Sequence, residues 1–290
     1  MKLTIGFSPC PNDTFIFDAL VNGGLNTADL HFEPVLEDVQ TLNEWAIRGM
    51  LDITKISFGV LPLVTGTYQV LDSGAALGQG VGPLLISKKH ISTDIIKQYT
   101  IALPGEHTTA HVLFSMAFPT VTNKVFLRYD EIENFVLNEP DALGVIIHEN
   151  RFTYQEKGLV SLMDLGNFWE INTGLPIPLG GILIKRVMDW HIRLRVEKLI
   201  HESIQRAFNT YPLLSPFVKQ HAREMNETIM RKHIDLYVNA FSLSLGDEGR
   251  NAINTFLRVH RDVMKIPAVN ADNIFLATDK GPEETILTDQ

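Results

Sequence analysis

The stretch Gly144–Arg151, GVIIHENR, decides how the chain is read. Val145, Ile146 and Ile147 form a short apolar, β-branched run, the pattern of a strand buried on both faces. His148 follows directly, ahead of Glu149, Asn150 and Arg151. In an open α/β sheet, ligands sit in the crevice beyond the carboxyl ends of the strands. A histidine on that lip can take or give a proton near neutral pH. It could equally cap the strand and bond only to its neighbours, and the stretch alone leaves both readings open.

Strand–loop–helix units recur on the N-terminal side of this stretch. Thr100–Leu103 reads as a strand, followed by the tight loop of PGEHTTA (Pro104–Ala110) and a helix through Phe118. Thr108 and Thr109 fall at the helix start, where hydroxyls and unpaired N–H groups can hold a carboxylate or phosphate. His107 and His111 have metal-ligand spacing, but no Glu stands between them as in HExxH and no third ligand is close in sequence, so capping or solvated histidines are expected. The chain opens on the same plan: strand Leu3–Phe7, loop SPCPND (Ser8–Asp13), helix Thr14–Val21 capped by Asn12 or Asp13. Asp38–Arg48 is an amphipathic helix, and Asp52–Ser57 is a short strand with Lys55 near its end and Ser57 at its exit. Lys55 is either a solvated surface residue or the positive partner of an acidic ligand. The glycine-rich Gly74–Gly82 precedes a strand rather than a helix, so it is not a dinucleotide loop.

The order of elements predicts an α/β protein of two units around a central cleft. Pro83–Ser87 is expected to leave the first unit and Ile182–Lys185 to return to it. The larger unit is then discontinuous, residues 1–87 and 182–290, and residues 88–181 are inserted in it. Asp189–Val263 reads as helical, and the charged tail Asp279–Gln290 is expected to fray.

Of 290 residues, 45% are hydrophobic and 20% charged, as in a soluble protein with a sizeable core. The net charge of −9 and the lack of any Lys/Arg run disfavour nucleic acid and membrane surfaces as partners. No apolar run approaches a membrane span, and MKLTIGFSPCPNDTF lacks the features of a signal peptide, so a cytoplasmic location is expected. The single cysteine, Cys10, excludes an intrachain disulfide and a Cys-rich metal site. With no histidine beside it in sequence, Cys10 is expected to be packed rather than nucleophilic.

Six motifs together resemble the MqnD family, the 1,4-dihydroxy-6-naphthoate synthases of the futalosine route to menaquinone. They are SPCPNDTFIFDALVNG (Ser8–Gly23), TKIS (Thr54–Ser57), GQGVGPLL (Gly78–Leu85), PGEHTTA (Pro104–Ala110), IIHENRFTY (Ile146–Tyr154) and YVNAFS (Tyr237–Ser242). The resemblance implies a fold like the type II periplasmic-binding proteins. It implies a lyase that converts cyclic dehypoxanthine futalosine into 1,4-dihydroxy-6-naphthoate without metal or organic cofactor. His148 would be the proton acceptor. Substrate contacts would fall to Lys55, Ile56 and Ser57, to Thr108 and Thr109, and to Asn12 in the first loop. The partner expected is a small carboxylated substrate, and a homodimer is compatible with the sequence. Two other readings share the fold: a cytoplasmic small-molecule carboxylate-binding protein, and a sibling chorismate dehydratase of the same pathway. A titratable base at His148 argues against the first, since binding alone needs none. The co-occurrence of HTTA and IIHE argues against the second.

Overall fold

The computed structural model describes residues 1–222, 226–266 and 274–277. The chain begins β1 (Lys2–Phe7), α1 (Pro11–Val21), β2 (His31–Leu36), α2 (Val39–Ile47), β3 (Ile53–Ser57), α3 (Leu61–Val64), β4 (Tyr68–Val70) and β5 (Ala76–Gly78). It continues through β6 (Leu84–Ser87), β7 (Thr100–Leu103), α4 (Thr109–Ala117), β8 (Lys124–Phe126), α5 (Ile132–Asn138), β9 (Ala142–Ile146), α6 (Asn150–Thr153), β10 (Val160–Asp164) and α7 (Leu165–Thr173). The rest is β11 (Ile177–Lys185), α8 (Trp190–Thr210), α9 (Pro216–His221), α10 (Glu227–Tyr237), α11 (Ala240–Leu243) and α12 (Gly246–Met264).

Two sheets result, in the orders β2-β1-β3-β11-β4, with β5 also on β11, and β10-β6-β9-β7-β8. The two orders share one plan. In each sheet, three parallel strands come from consecutive chain: β1 beside β2 and β3, and β7 beside β8 and β9. In each, the strand next to the third runs antiparallel and comes from across the chain: β11 beside β3, and β6 beside β9. Parallel strands need helical crossovers that cover the faces, so their residues are buried on both sides. All five residues of β3 and all five of β9 are buried accordingly.

These pairings correct the expected points of crossing. Leu84–Ser87 was assigned to the first unit, yet it pairs with β9 and β10 in the second sheet. Ile177–Gly181 was assigned to the insertion, yet it already pairs with β5 and β3 in the first sheet. Both segments are apolar strands suited to the middle of a sheet, and apolar patterning does not say which sheet. The expected fraying of Asp279–Gln290 lies outside the described residues.

One apolar cluster packs Ile5, Phe7 and Ile182 against Phe15 and Phe17 of α1 and Ile200 and Ile204 of α8. Another crosses between the sheets, joining Val70 and Leu183 of the first to Ile101, Leu143 and Val145 of the second through Phe114, Trp169 and Phe256. Helix α12 contributes Phe256 and packs on α4 and β11. At the connection from β5 to β6, Gly82 lies against the backbone of Gly166, where a Cβ would stand 2.2 Å from its Cα. Only glycine permits that approach. Among the described residues no helix is long and apolar enough to cross a membrane.

Candidate active site

Three strand ends and two helix starts meet at a cavity of about 90 Å³. The loop after β1 delivers Ser8 and the first turn of α1 Asn12 and Asp13, β3 delivers Lys55, Ile56 and Ser57, and the loop after β9 delivers His148. α4 delivers Thr108 and Thr109 from the opposite wall. All the candidate site residues read from the sequence therefore line one space.

His148 lies two residues past the end of β9 with φ +55°, in the left-handed region that a residue with a Cβ rarely enters. Its Nδ1 is 3.7 Å from the Cys10 sulfur, and among the described residues its Nε2 makes no hydrogen bond. The ring meets Tyr129 edge-on at 4.9 Å between centroids and His233 at 6.1 Å. Part of the ring faces the cavity, but protein closes in on it elsewhere. Burial therefore pushes its pKa down, against the smaller raising effects of Glu149, Asp13 and Asp38. The imidazole is thus neutral at pH 7, the form that accepts a proton.

Asp13, 3% exposed, is the polar centre of the first wall. Its Oδ2 accepts from the Ser8 backbone N–H at 3.2 Å and the Ser8 hydroxyl at 2.8 Å. Its Oδ1 accepts from Asn12 Nδ2 at 2.8 Å and from Lys55 Nζ at 3.2 Å. Lys55 also donates to the Gly74 carbonyl at 2.7 Å. Lys55 is therefore not the solvated lysine of one reading. Nor is it an uncompensated cation, because its charge is balanced by Asp13 within the protein. The amide of Asn12 is oriented by its bond to Asp13, and its Oδ1 is buried without a partner. Neither Asn12 nor Asp13 caps α1: the helix begins at Pro11, and its N-cap is Cys10, which makes no side-chain capping bond. Proline at the first helical position removes one of the N–H groups that a helix start leaves unpaired.

Across the cavity, the Ser57 hydroxyl accepts from the Thr109 backbone N–H at 2.7 Å and lies 3.1 Å from the Thr109 hydroxyl. Thr108 caps α4, accepting from His111 N–H, and donates its hydroxyl to the Gly105 carbonyl at 2.8 Å. The donor at the start of α4 that was expected to meet an anion is thus held by Ser57 from the other lobe. Asn43, which the sequence reading did not single out, fastens the same seam. It accepts from Ser57 N–H at 2.9 Å and donates to the His107 carbonyl at 3.0 Å. Gly59 completes it, since a Cβ there would stand 2.4 Å from the backbone of Thr108. Ile56 is fully buried and forms an apolar wall.

His111 Nδ1 bonds the Glu106 carbonyl at 2.8 Å and its Nε2 lies 3.3 Å from Lys124 Nζ, so both ring nitrogens are occupied within the protein, and Thr108 rather than His111 caps α4. Cys10, His148 and Glu149 do bring donor atoms within 4.8 Å of one another. Burial holds the Cys10 thiol pKa well above its usual value, however, and a protonated thiol is a poor metal ligand. The proximity of Cys10 to a histidine, 138 residues away in sequence, is what the sequence reading missed. Tyr237 and Glu149 also flank the site; the motifs YVNAFS and IIHE contain them, but nothing local gives them a role.

A cavity enclosed by two α/β lobes, each with an antiparallel strand from the far half of the chain, defines the periplasmic-binding-protein-like class. The chain superposes on the periplasmic aliphatic sulphonate-binding protein SsuA of Escherichia coli with TM-score 0.63 at 10% identity, over 94% of this chain and 91% of that one. It superposes on protein AF1704 of Archaeoglobus fulgidus with TM-score 0.86 at 28% identity, over 91% and 98%. The family model described as menaquinone biosynthesis matches residues 3–262. The 1,4-dihydroxy-6-naphthoate synthase of Thermus thermophilus is 42% identical over 87% of this chain and 91% of its own. That of Streptomyces coelicolor is 38% identical over 93% and 96%. The chain belongs to the menaquinone-biosynthesis family, within its 1,4-dihydroxy-6-naphthoate synthase (MqnD) group.

Proposed function

We propose that the protein is a carbon–carbon lyase that converts cyclic dehypoxanthine futalosine into 1,4-dihydroxy-6-naphthoate, with His148 as the proton acceptor. The observation that carries this reading is the His148 imidazole held on a left-handed backbone at the cavity, where burial lowers its pKa and its Nε2 has no hydrogen-bond partner among the described residues. The substrate is a carboxylated aromatic ketone, and its breakdown starts with removal of a proton beside a carbonyl. A neutral His148 accepts that proton and its imidazolium returns one to the departing fragment. Ser57, Thr108 and Thr109 supply hydroxyls and the helix start that stabilise an enolate oxygen. Formation of an aromatic ring supplies much of the driving force, so the site has mainly to position and deprotonate.

Clefts that enclose ligands of this size hold several hundred Å³. The cavity of about 90 Å³ is therefore a closed form. On this reading substrate enters as the Ser57–Thr109 seam opens, and the two side chains exchange their mutual bond for bonds to substrate. The reading includes a cytoplasmic location, in keeping with a biosynthetic enzyme. The test is to mix purified protein with the cyclic substrate and follow naphthoate absorbance. Product formation supports the lyase; tight binding without product points to a carboxylate sensor instead.

A further inference from the structure

We propose that Arg151 is a positioning residue for His148: its guanidinium clamps the loop after β9 onto the two connections between the lobes, at the point where these touch. This rests on the reading of His148 as the base and assigns a residue that acts through it.

His148 sits at φ +55°, and a residue with a Cβ keeps such a backbone only where its surroundings over-determine it. Upstream, the chain is fixed by β9, whose Gly144, Val145 and Ile146 pair with β6. Downstream, the fixed point is α6, which begins two residues after His148. Its first residue, Asn150, donates from Nδ2 to Glu133 Oε2 on α5 at 2.8 Å. That buried carboxylate oxygen also takes Lys157 Nζ at 2.5 Å. Its second residue, Arg151, reaches another way. Nη2 donates to Asp164 Oδ2 at 2.7 Å, and Nη1 donates to the Gly82 carbonyl. The Arg151 backbone N–H donates back to the His148 carbonyl at 3.3 Å.

The two partners of Arg151 lie on different connections. Gly82 stands between β5 of the first sheet and β6 of the second, on the outgoing connection. Asp164 ends β10 of the second sheet and caps α7, on the returning one. The connections are joined there: Leu165 N–H donates to the Pro83 carbonyl at 2.9 Å, and Gly82 and Gly166 meet backbone to backbone. A guanidinium presents its donors in a rigid planar fork, so bonds to two segments fix its orientation as well as its distance. Asp164 is itself held, its Oδ1 accepting from the Gly166 and Asn167 N–H groups. Arg151 therefore ties the loop that carries the base to the junction through which the lobes are joined. A base must stand within hydrogen-bond reach of the proton it removes, and a small displacement is expensive in rate. Arg151 does not line the cavity, so its effect on the chemistry passes through the loop it holds.

The test is a double-mutant cycle in the full-length protein, read as naphthoate formation from the cyclic substrate. Arg151→Ala should lower kcat by roughly 10- to 100-fold, with KM nearly unchanged. Arg151→Lys keeps the charge without the fork and should recover only part of that loss. In the His148→Asn background, Arg151→Ala should cost almost nothing further, because residues that act as a unit are not additive. An unchanged kcat in Arg151→Ala overturns the clamp. So does a loss in the double variant that multiplies the two single losses, which is what a merely structural role gives. If Arg151→Ala fails to fold, Asp164→Asn takes its place in the cycle: it keeps an acceptor for the α7 cap, removes the charge that Arg151 pairs with, and is read by the same two outcomes. Full activity in His148→Asn overturns the base assignment instead, so the two failures are distinct.

Discussion

The molecule builds the start of α1 and the start of α4 from one plan, a strand, a tight proline-containing loop and a helix, and uses them oppositely. At α4 the N-cap is Thr108, and its hydroxyl serves the helix by accepting from His111 N–H. The next N–H is taken by Ser57 from the opposite lobe. At α1 the N-cap is Cys10, which gives its helix no side-chain bond, and its sulfur is turned to His148. One helix start closes the seam between lobes, and the other sets a thiol beside His148. The difference teaches that a helix terminus need not itself be the binding feature. Once its donors are satisfied, the residue at its head is free for another task.

The contrast predicts where variants act. The largest effect should come from the first region. His148→Asn should lower naphthoate formation by about 10²–10⁴-fold while the protein still binds ligand. Steady-state rates together with a ligand-dependent rise in Tm check this, and an undiminished rate removes His148 as the base.

Acid should act on both regions. Burial lowers the pKa of His148 and His233 beside α1 and of His111 and His260 beside α4, His260 to about 4. The unfolded chain then takes up protons before the folded one does. Stability is full above about pH 6.5 and declines as pH falls toward these lowered values. For His260 alone, a fall from 6.5 to about 4 corresponds to about 3 kcal/mol. Urea denaturation between pH 7 and pH 4 reads this directly, with His260→Gln expected to flatten the dependence.

The seam itself should respond to a single methyl group. Gly59→Ala would press on the Thr108 backbone and should destabilise the protein by about 1–3 kcal/mol, visible as a lower urea midpoint. Thr108→Ala removes only the cap and should lower stability by about 1 kcal/mol. If Gly59→Ala turns out neutral, the lobes are not held as closely as the Ser57–Thr109 contact implies.

Much of the architecture was legible because it is written in local pattern. The span Thr100–Leu103 emerges as a strand with the bounds read from the sequence. Elements ended early where a residue had another use. The strand expected to run through Ile147 ends at Ile146, and Ile147 instead lines the cavity. The site was legible as a set of residues and not as a set of bonds. SPCPND, TKIS, HTTA and IIHE named the lining, but the pairing of Lys55 with Asp13 and of Ser57 with Thr109 is fixed only by the sheets that bring them together. The left-handed backbone of His148 has no signature in HEN, because positive φ is announced by glycine or asparagine and here neither occupies the position.

The borrowed middle strands have a consequence for how the molecule comes into being. Among the described residues β4 pairs with β11 on one side and with Phe275 on the other, so Tyr68–Val70 has no lateral neighbour among the strands made before it. During synthesis that edge must wait, bare, until Ile177–Lys185 leaves the ribosome, more than a hundred residues later. Vectorial completion of the N-terminal half is thereby ruled out, and the nascent chain carries an unfinished sheet that is open to misassembly. Truncation before Ile177 should leave an aggregation-prone fragment rather than a half-sized protein.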